Sequence, residues 1–164
     1  MRDNYSGNFG GGCTHPPCSW SSFSSAFTVQ EWPNTVPMVF SGFELGSRIH
    51  TGTRLLSGHN CPASVPANPC RRAFADFSVP ANRTWRESWD SVTSLYAVRG
   101  AEDFETLTPG RNIVNSTDGS DVWSTDGAGV RQSYLVLNET TGVTPLENAI
   151  DDLICSKPST LGPK

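Results

Sequence analysis

Apolar residues recur at helical spacing in four stretches of the chain. Spacings of three and four residues place such positions on one face of a helix. Pro33 and Pro158 mark the ends of the first and last stretches, because the residue before a proline disfavours helical geometry. The predicted helices cover 21–31, 71–77, 88–100 and 145–155.

A short apolar run at 36–40 predicts a strand, and its lack of polar alternation predicts that this strand is central and fully buried. Further along, 112–114, 122–123 and 132–137 flank two Asp-Gly pairs, which are strong hairpin signals. The predicted fold class is therefore α/β. It consists of an open sheet with parallel strands flanked by helices, plus a C-terminal antiparallel hairpin region.

The chain of 164 residues is long enough for one domain with its own core. We predict a single partial domain, divided by the pattern of polar and apolar positions. Its parts are a Gly-, Ser- and Pro-rich loop at 1–20, an α/β part at 21–108, a hairpin region at 109–140 and a helix at 145–155.

The formal net charge is −4, and the basic residues are scattered along the chain. A surface that binds nucleic acid needs clustered cations, so no nucleic-acid partner is expected. The apolar runs are much shorter than the ~20 residues that cross a bilayer, so no membrane partner is expected. The polar N-terminus also lacks the apolar core of a signal peptide.

The five cysteines show no paired C-x-x-C spacing, which argues against a zinc site. Cys13 with Cys18, and Cys61 with Cys70, would each close a short loop, and Cys155 would remain as a buried free thiol. Disulfides and glycosylation suit a secreted or lumenal protein. The Asn-x-Ser/Thr sequons are at Asn4, Asn82, Asn115 and Asn138.

Several carboxylates are candidates for chemistry. Asp90 lies at or just inside the start of a helix, where it can cap the helix or face a ligand. Glu44 follows the predicted strand, at the edge where α/β sheets bind ligands, although it can instead pair locally with Arg48. The adjacent Asp151 and Asp152 point about 100° apart on a helix, so we interpret them as a solvated face and not as a metal pair.

Three segments between residues 32 and 100 carry a family resemblance. They are VPMVFSGFELG, the Thr51-Gly52 turn, and SWDSVTSLYAVRG. Together they resemble the inosine/uridine-preferring nucleoside hydrolase superfamily, in its divergent branch. Members of this superfamily are larger than this chain, which looks like their C-terminal half.

The resemblance implies hydrolysis of the N-glycosidic bond of ribonucleosides, with a calcium ion as cofactor. Asp90 corresponds to a calcium ligand, and Trp89 to a residue that contacts the nucleobase in purine-preferring members; otherwise Trp89 simply packs on the sheet. Asn8 corresponds to the asparagine of a ribose-binding motif, or is an ordinary turn residue. Glu44 lies near the pocket wall and supports the site.

The chain also departs from the family. Ser6 stands where the ribose-binding motif has an acid, and the family's aspartate cluster has no counterpart here. We therefore expect weak calcium affinity and no hydrolysis from this chain alone, and activity in a complete protein that binds a nucleoside and can form a homo-oligomer. The alternative is a non-catalytic, secreted, disulfide-stapled binding module on a degenerate form of this fold.

Overall fold

The computed structural model describes residues 19–58, 61, 68–78, 82–100, 105–126 and 129–156. These residues separate into two units, each built from two stretches of chain. The first unit contains the described residues up to Leu45 and those from 105 to Asn138. The second contains the described residues of Gly46–Gly100 and those from Glu139 onward.

The first unit is a mixed sheet with one long helix. Its elements are α1 (Ser19–Gln30), β1 (Met38–Phe40), β4 (Glu105–Val114), β5 (Asp121–Ser124) and β6 (Gln132–Leu137), and the short α2 (Phe43–Gly46) ends its first stretch. The strand order is β1-β6-β4-β5. Strand β1 is parallel to β6, whereas β4 is antiparallel to both β5 and β6. An α/β fold with a sheet flanked by helices is thus confirmed.

Two details of the predicted sheet are wrong. The strand predicted at 36–40 covers Met38–Phe40, is half-buried and lies at the sheet edge, and Val36 is 44% exposed. The antiparallel strands form the body of the sheet, so they are not an appendage to a parallel one. A short apolar run identifies a strand but not its position, because that position depends on pairing with distant residues.

Helix α1 covers one face of the sheet through buried residues on its inner side. Ala26 and Val29 are buried there. Gln132 connects the layers, since its Nε2 donates to the Val29 carbonyl (3.1 Å) and its Oε1 accepts the Asn112 amide N–H (2.8 Å). A buried side-chain amide satisfied on both sides fixes the position of the helix on the sheet.

The second unit is mostly helical. It contains β2 (His50–Thr51), α3 (Thr53–Ser57), α4 (Pro69–Ser78), β3 (Arg86–Glu87), α5 (Trp89–Arg99) and α6 (Thr144–Cys155), and β2 pairs antiparallel with β3. The helices predicted at 71–77, 88–100 and 145–155 are confirmed within a few residues. Their apolar faces supply its core, which includes the buried Ile49, Leu55, Val92, Leu95, Leu146 and Ile150.

The predicted Cys61–Cys70 disulfide is not formed in the structure. Both residues are free thiols, with Cys61 buried and Cys70 exposed on α4. Cys155 is a buried free thiol, as predicted. Cys13 and Cys18 lie outside the described residues. In the part of the chain that the structure describes, no helix combines the length and apolarity needed to span a bilayer.

Candidate functional site

In the second unit, Gly46, the last residue of the VPMVFSGFELG segment, contacts the start of the SWDSVTSLYAVRG segment. The Ser88 N–H donates to the carbonyls of Gly46 (3.2 Å) and Ile49 (3.0 Å). The Trp89 indole packs directly on Gly46, where an added methyl group would overlap the ring and the Trp89 backbone. Glycine is therefore needed at position 46 so that the start of α5 can approach this closely.

A pair of hydroxyl groups joins the Thr51-Gly52 turn to the same place. Thr51 Oγ1 and Ser88 Oγ are hydrogen-bonded to each other, and both residues are buried. Ser88 is the N-cap residue of α5, but its side chain makes no capping bond to that helix. Its hydroxyl thus connects two segments and is closed to a substrate.

Asp90 is the second residue of α5 and its carboxylate is exposed. Within the described residues we find no hydrogen bond or ion pair to this side chain. A carboxylate in the first turn is favoured by the helix dipole. Asp90 is therefore not the N-cap of the helix, and its oxygens remain available to an incoming cation.

Trp89 is half-buried, with Gly46 against part of its ring. The remaining exposed surface could stack on a flat ligand. On the nearby Trp85, His50 stacks at a centroid distance of 3.8 Å and the Arg83 guanidinium lies 5.1 Å from the ring centroid. The Trp85 ring is therefore covered by these two neighbours.

Glu44 and Asn8 are the remaining predicted site residues. Glu44 belongs to the first unit, in the first turn of α2, and its carboxylate lies over Gly42, 2.6 Å from where a side chain there would begin. Arg48, its predicted local partner, forms a bidentate ion pair with Glu139 (2.6 and 2.9 Å). Asn8 lies outside the described residues, so its assignment stays a prediction.

Calcium binds six to eight oxygen atoms. Asp90 fits as one such ligand, because its carboxylate is a hard, exposed oxygen donor. Among the described residues, however, no three His, Cys, Asp or Glu side chains group around a point that could hold a metal. The described part of the chain therefore contains no cluster of acidic side chains that would form a calcium site.

Asp151 is an important residue that the sequence interpretation missed. It is only 2% exposed, so its assignment to a solvated face is wrong. Its Oδ1 accepts the Gly52 N–H (2.7 Å) and its Oδ2 accepts the Arg54 N–H (3.0 Å). The neighbouring Asp152 is exposed and pairs with the Arg54 guanidinium at 3.1 Å.

A second carboxylate from α6 binds the same strand-turn segment. Glu147 Oε1 accepts the His50 N–H at 2.8 Å. Glu147 and Asp151 are one helical turn apart, so they lie on the same face of α6. Together they hold the backbone from His50 to Arg54. A signal for this role was the glycine at position 52, since an N-cap without a side chain requires a capping group from elsewhere.

The first unit contains a separate cavity of about 350 Å³ between α1 and the strands β4 and β6. Trp32, Asn34 and Asn112 are among its lining residues. Within the described residues, both amide atoms of Asn112 are buried without a hydrogen bond, and so are Asp121 Oδ2 and Trp123 Nε1 on the adjacent strand β5. Such atoms are costly in a core, and their concentration beside a cavity is typical of a binding site or of ordered water.

We compared the chain with protein-family models, curated proteins and solved structures. Nothing matches in any of the three comparisons. The assignment of a function therefore depends on the residues and contacts described above.

Replacing Asp121 with asparagine should stabilise the protein at pH 7. Burial raises the pKa of the Asp121 carboxyl, and the adjacent Asn112 side chain offsets part of this effect. The folded state thus holds the proton more tightly than the unfolded state, and stability falls as the pH rises from the usual aspartate pKa through the raised one. Urea unfolding at pH 7 should give a higher free energy of unfolding for the Asp121→Asn protein than for the unchanged protein. Near pH 3 this difference should disappear.

Asp118→Asn is the matched control, because Asp118 is an exposed carboxylate in the same hairpin. Hydrogen bonds from Ser120 lower the pKa of Asp118. Folding therefore favours the charged form of Asp118. The Asp118→Asn protein should have a free energy of unfolding at pH 7 that is unchanged or lower. A loss of stability at pH 7 in the Asp121→Asn protein would contradict the assignment of a penalty to that buried charge.

Proposed function

We propose that this chain is part of a nucleoside hydrolase that cleaves the N-glycosidic bond of ribonucleosides, with a preference for purines. The observation that carries the proposal is the convergence of the family-like segments. Gly46 and Thr51 precede Ser88-Trp89 by more than 35 residues, yet hydrogen bonds and close packing join them at the start of α5. This arrangement presents Asp90 and Trp89 side by side.

Asp90 would hold the calcium ion through one carboxylate oxygen, with the remaining ligands supplied by the aspartate cluster that the family possesses. When bound, the ion would hold ribose hydroxyls and activate a water molecule. The exposed and unpaired state of Asp90 supports this role, because the residue makes no competing ion pair in the described part of the chain.

Trp89 would stack on the purine. An indole face offers dispersion and quadrupole interactions with a heterocycle but no proton for the departing base. Trp89 therefore binds and orients the base, and activation of the leaving group is left to other residues. The backbone contact at Gly46 fixes the direction of the indole.

Titration of the full chain with inosine tests the base-binding role. We expect weak binding, with a dissociation constant on the order of 10 mM, because stacking contributes about 1–3 kcal/mol per base and the ribose contacts are incomplete. Trp89→Ala should weaken binding by at least about 10-fold in a fluorescence or calorimetric titration. Calcium should change this affinity little, since the described residues supply a single ligand.

Trp85→Ala is the matched control, because the Trp85 ring is already covered by His50 and Arg83. Its affinity for inosine should equal that of the unchanged protein. Equal inosine affinities in the Trp89→Ala and unchanged proteins, or no binding to either, would reject Trp89 as the base platform.

The second candidate function is a non-catalytic binding module. The cavity in the first unit favours it, since unpartnered buried polar atoms lie beside the cavity. A ligand bound there should respond to Asn112→Leu and not to Trp89→Ala. The two variants thus separate the two functions in one titration series.

A further inference from the structure

Two buried cysteines of the second unit belong to the same apolar cluster. Cys61 is 1% exposed and Cys155 is 8% exposed, and both pack with Leu55. Phe74 and Ile154 pack against this cluster. Both thiols are free. The contact therefore joins the last residue of α6 to the segment that follows α3.

The two thiols interact directly. Burial, together with the neighbouring Cys61 side chain, raises the pKa of Cys155 to about 12. Cys155 is thus protonated at neutral pH, which makes it a poor metal ligand and a poor nucleophile in the folded state. Neither metal binding nor nucleophilic catalysis explains why these residues are paired.

We propose that Cys61 and Cys155 form a disulfide bond when the protein is in an oxidising compartment. Because both thiols pack in one buried cluster, a local movement brings them to the S–S distance of about 2.05 Å. Cys70, the partner expected from loop length, is exposed on α4 and lies outside the cluster. The pairing therefore follows from packing and not from proximity in the sequence.

The bond forms by two thiol–disulfide exchanges with a low-molecular-weight disulfide such as oxidised glutathione. The Cys61 thiolate attacks that disulfide and releases one glutathione thiolate. The Cys155 thiolate then attacks the mixed disulfide at the Cys61 sulfur and releases the second. Two electrons pass from the cysteine sulfurs to glutathione, and the two thiol protons end on the released glutathione molecules.

Burial determines the rate of this reaction. Both sulfurs are shielded by apolar side chains, so the attack requires local opening of the second unit. The exposed Cys70 should react faster with an alkylating reagent than either buried thiol. The bond should therefore form during folding more readily than in the folded protein.

Peptide mapping of the full chain, refolded in oxidised and reduced glutathione, tests the pairing. Trypsin leaves Cys61 and Cys70 together in 55–71, and Cys155 in 132–164. Blocking free thiols before digestion and analysing the peptides by mass spectrometry gives distinct results. A Cys61–Cys155 bond links the two peptides, whereas a Cys61–Cys70 bond only closes a loop within 55–71.

Serine variants show which cysteines form the bond and how much the bond stabilises the protein. Cys70→Ser is the matched control and should keep the cross-linked peptide. Cys61→Ser and Cys155→Ser should each lose it. In the unchanged protein and in Cys70→Ser, oxidation should raise the thermal midpoint by on the order of 10 °C, because the bond constrains more than half of the unfolded chain.

We expect the cross-linked peptide to be present in the oxidised sample and absent after reduction. Blocked Cys61 and Cys155 in the oxidised sample, a looped 55–71 peptide, or a link to the peptide that contains Cys13 and Cys18 would each overturn the proposal. The peptide map of the unchanged protein tests the pairing by itself. The test therefore remains valid if a serine variant fails to fold.

Discussion

Replacing Asp151 with alanine should lower the free energy of unfolding by about 3 kcal/mol. The buried carboxylate accepts the N–H groups of Gly52 and Arg54, at the start of α3. Gly52 is the N-cap residue and provides no side-chain capping bond. Removing the carboxylate leaves two buried donors unsatisfied, and each such donor costs about 1–3 kcal/mol.

Asp152→Ala is the matched control, one residue away on the same helix. Asp152 is exposed and makes a surface ion pair with Arg54, so its loss should cost less than about 1 kcal/mol. Urea unfolding monitored by circular dichroism should separate the two variants clearly. Equal losses in both proteins would show that the Asp151 carboxylate does not cap α3.

Replacing Asp90 with asparagine should reduce nucleoside hydrolysis by more than about 100-fold in a protein that joins this chain to the family's aspartate-bearing half. An amide keeps the shape of the side chain but lacks the negative charge that holds calcium. The loss should appear in the release of hypoxanthine from inosine, and as weaker calcium binding by calorimetry. Stability should change little, because Asp90 is exposed and its main structural contribution is the helix dipole interaction.

Asp152→Asn serves again as the control, because it removes an exposed carboxylate from the same unit. It should retain the hydrolysis rate. If Asp90→Asn retains it as well, Asp90 is only a first-turn helix residue and the proposed metal role fails. If the joined protein shows no hydrolysis at all, the nucleoside hydrolase proposal itself is rejected.

The sequence pattern predicted local structure better than it predicted pairing. The helices at 71–77, 88–100 and 145–155 follow from apolar spacing that is complete within each segment. Strand β1 was also predicted, but its edge position depends on a parallel pairing with β6, nearly 100 residues later. The predicted partner of Cys61 was missed for the same reason, because Cys61 packs in one cluster with Cys155 of the distant helix α6.

The candidate site shows the same limit. Asp90 and Trp89 were visible as neighbours at the start of a helix, which is a local property. The capping role of Asp151 was not visible, because it depends on a turn about 100 residues earlier in the chain. Because open α/β sheets bind ligands at the carboxyl ends of their strands, the sequence also predicts that Asp90 faces the same cleft as the 39–44 segment. This stays a prediction, as these residues belong to different units.

Both units are assembled from an early and a late stretch of the chain. Strand β1 pairs with β6, and α3 receives its cap from α6. A chain emerging from the ribosome therefore exposes the edge of β1 and the start of α3 until most of the protein has been made. Folding must then be largely post-translational and slow, because its decisive contacts are non-local. A chain that ended before Gln132 would lack both β6 and α6, so neither unit could fold.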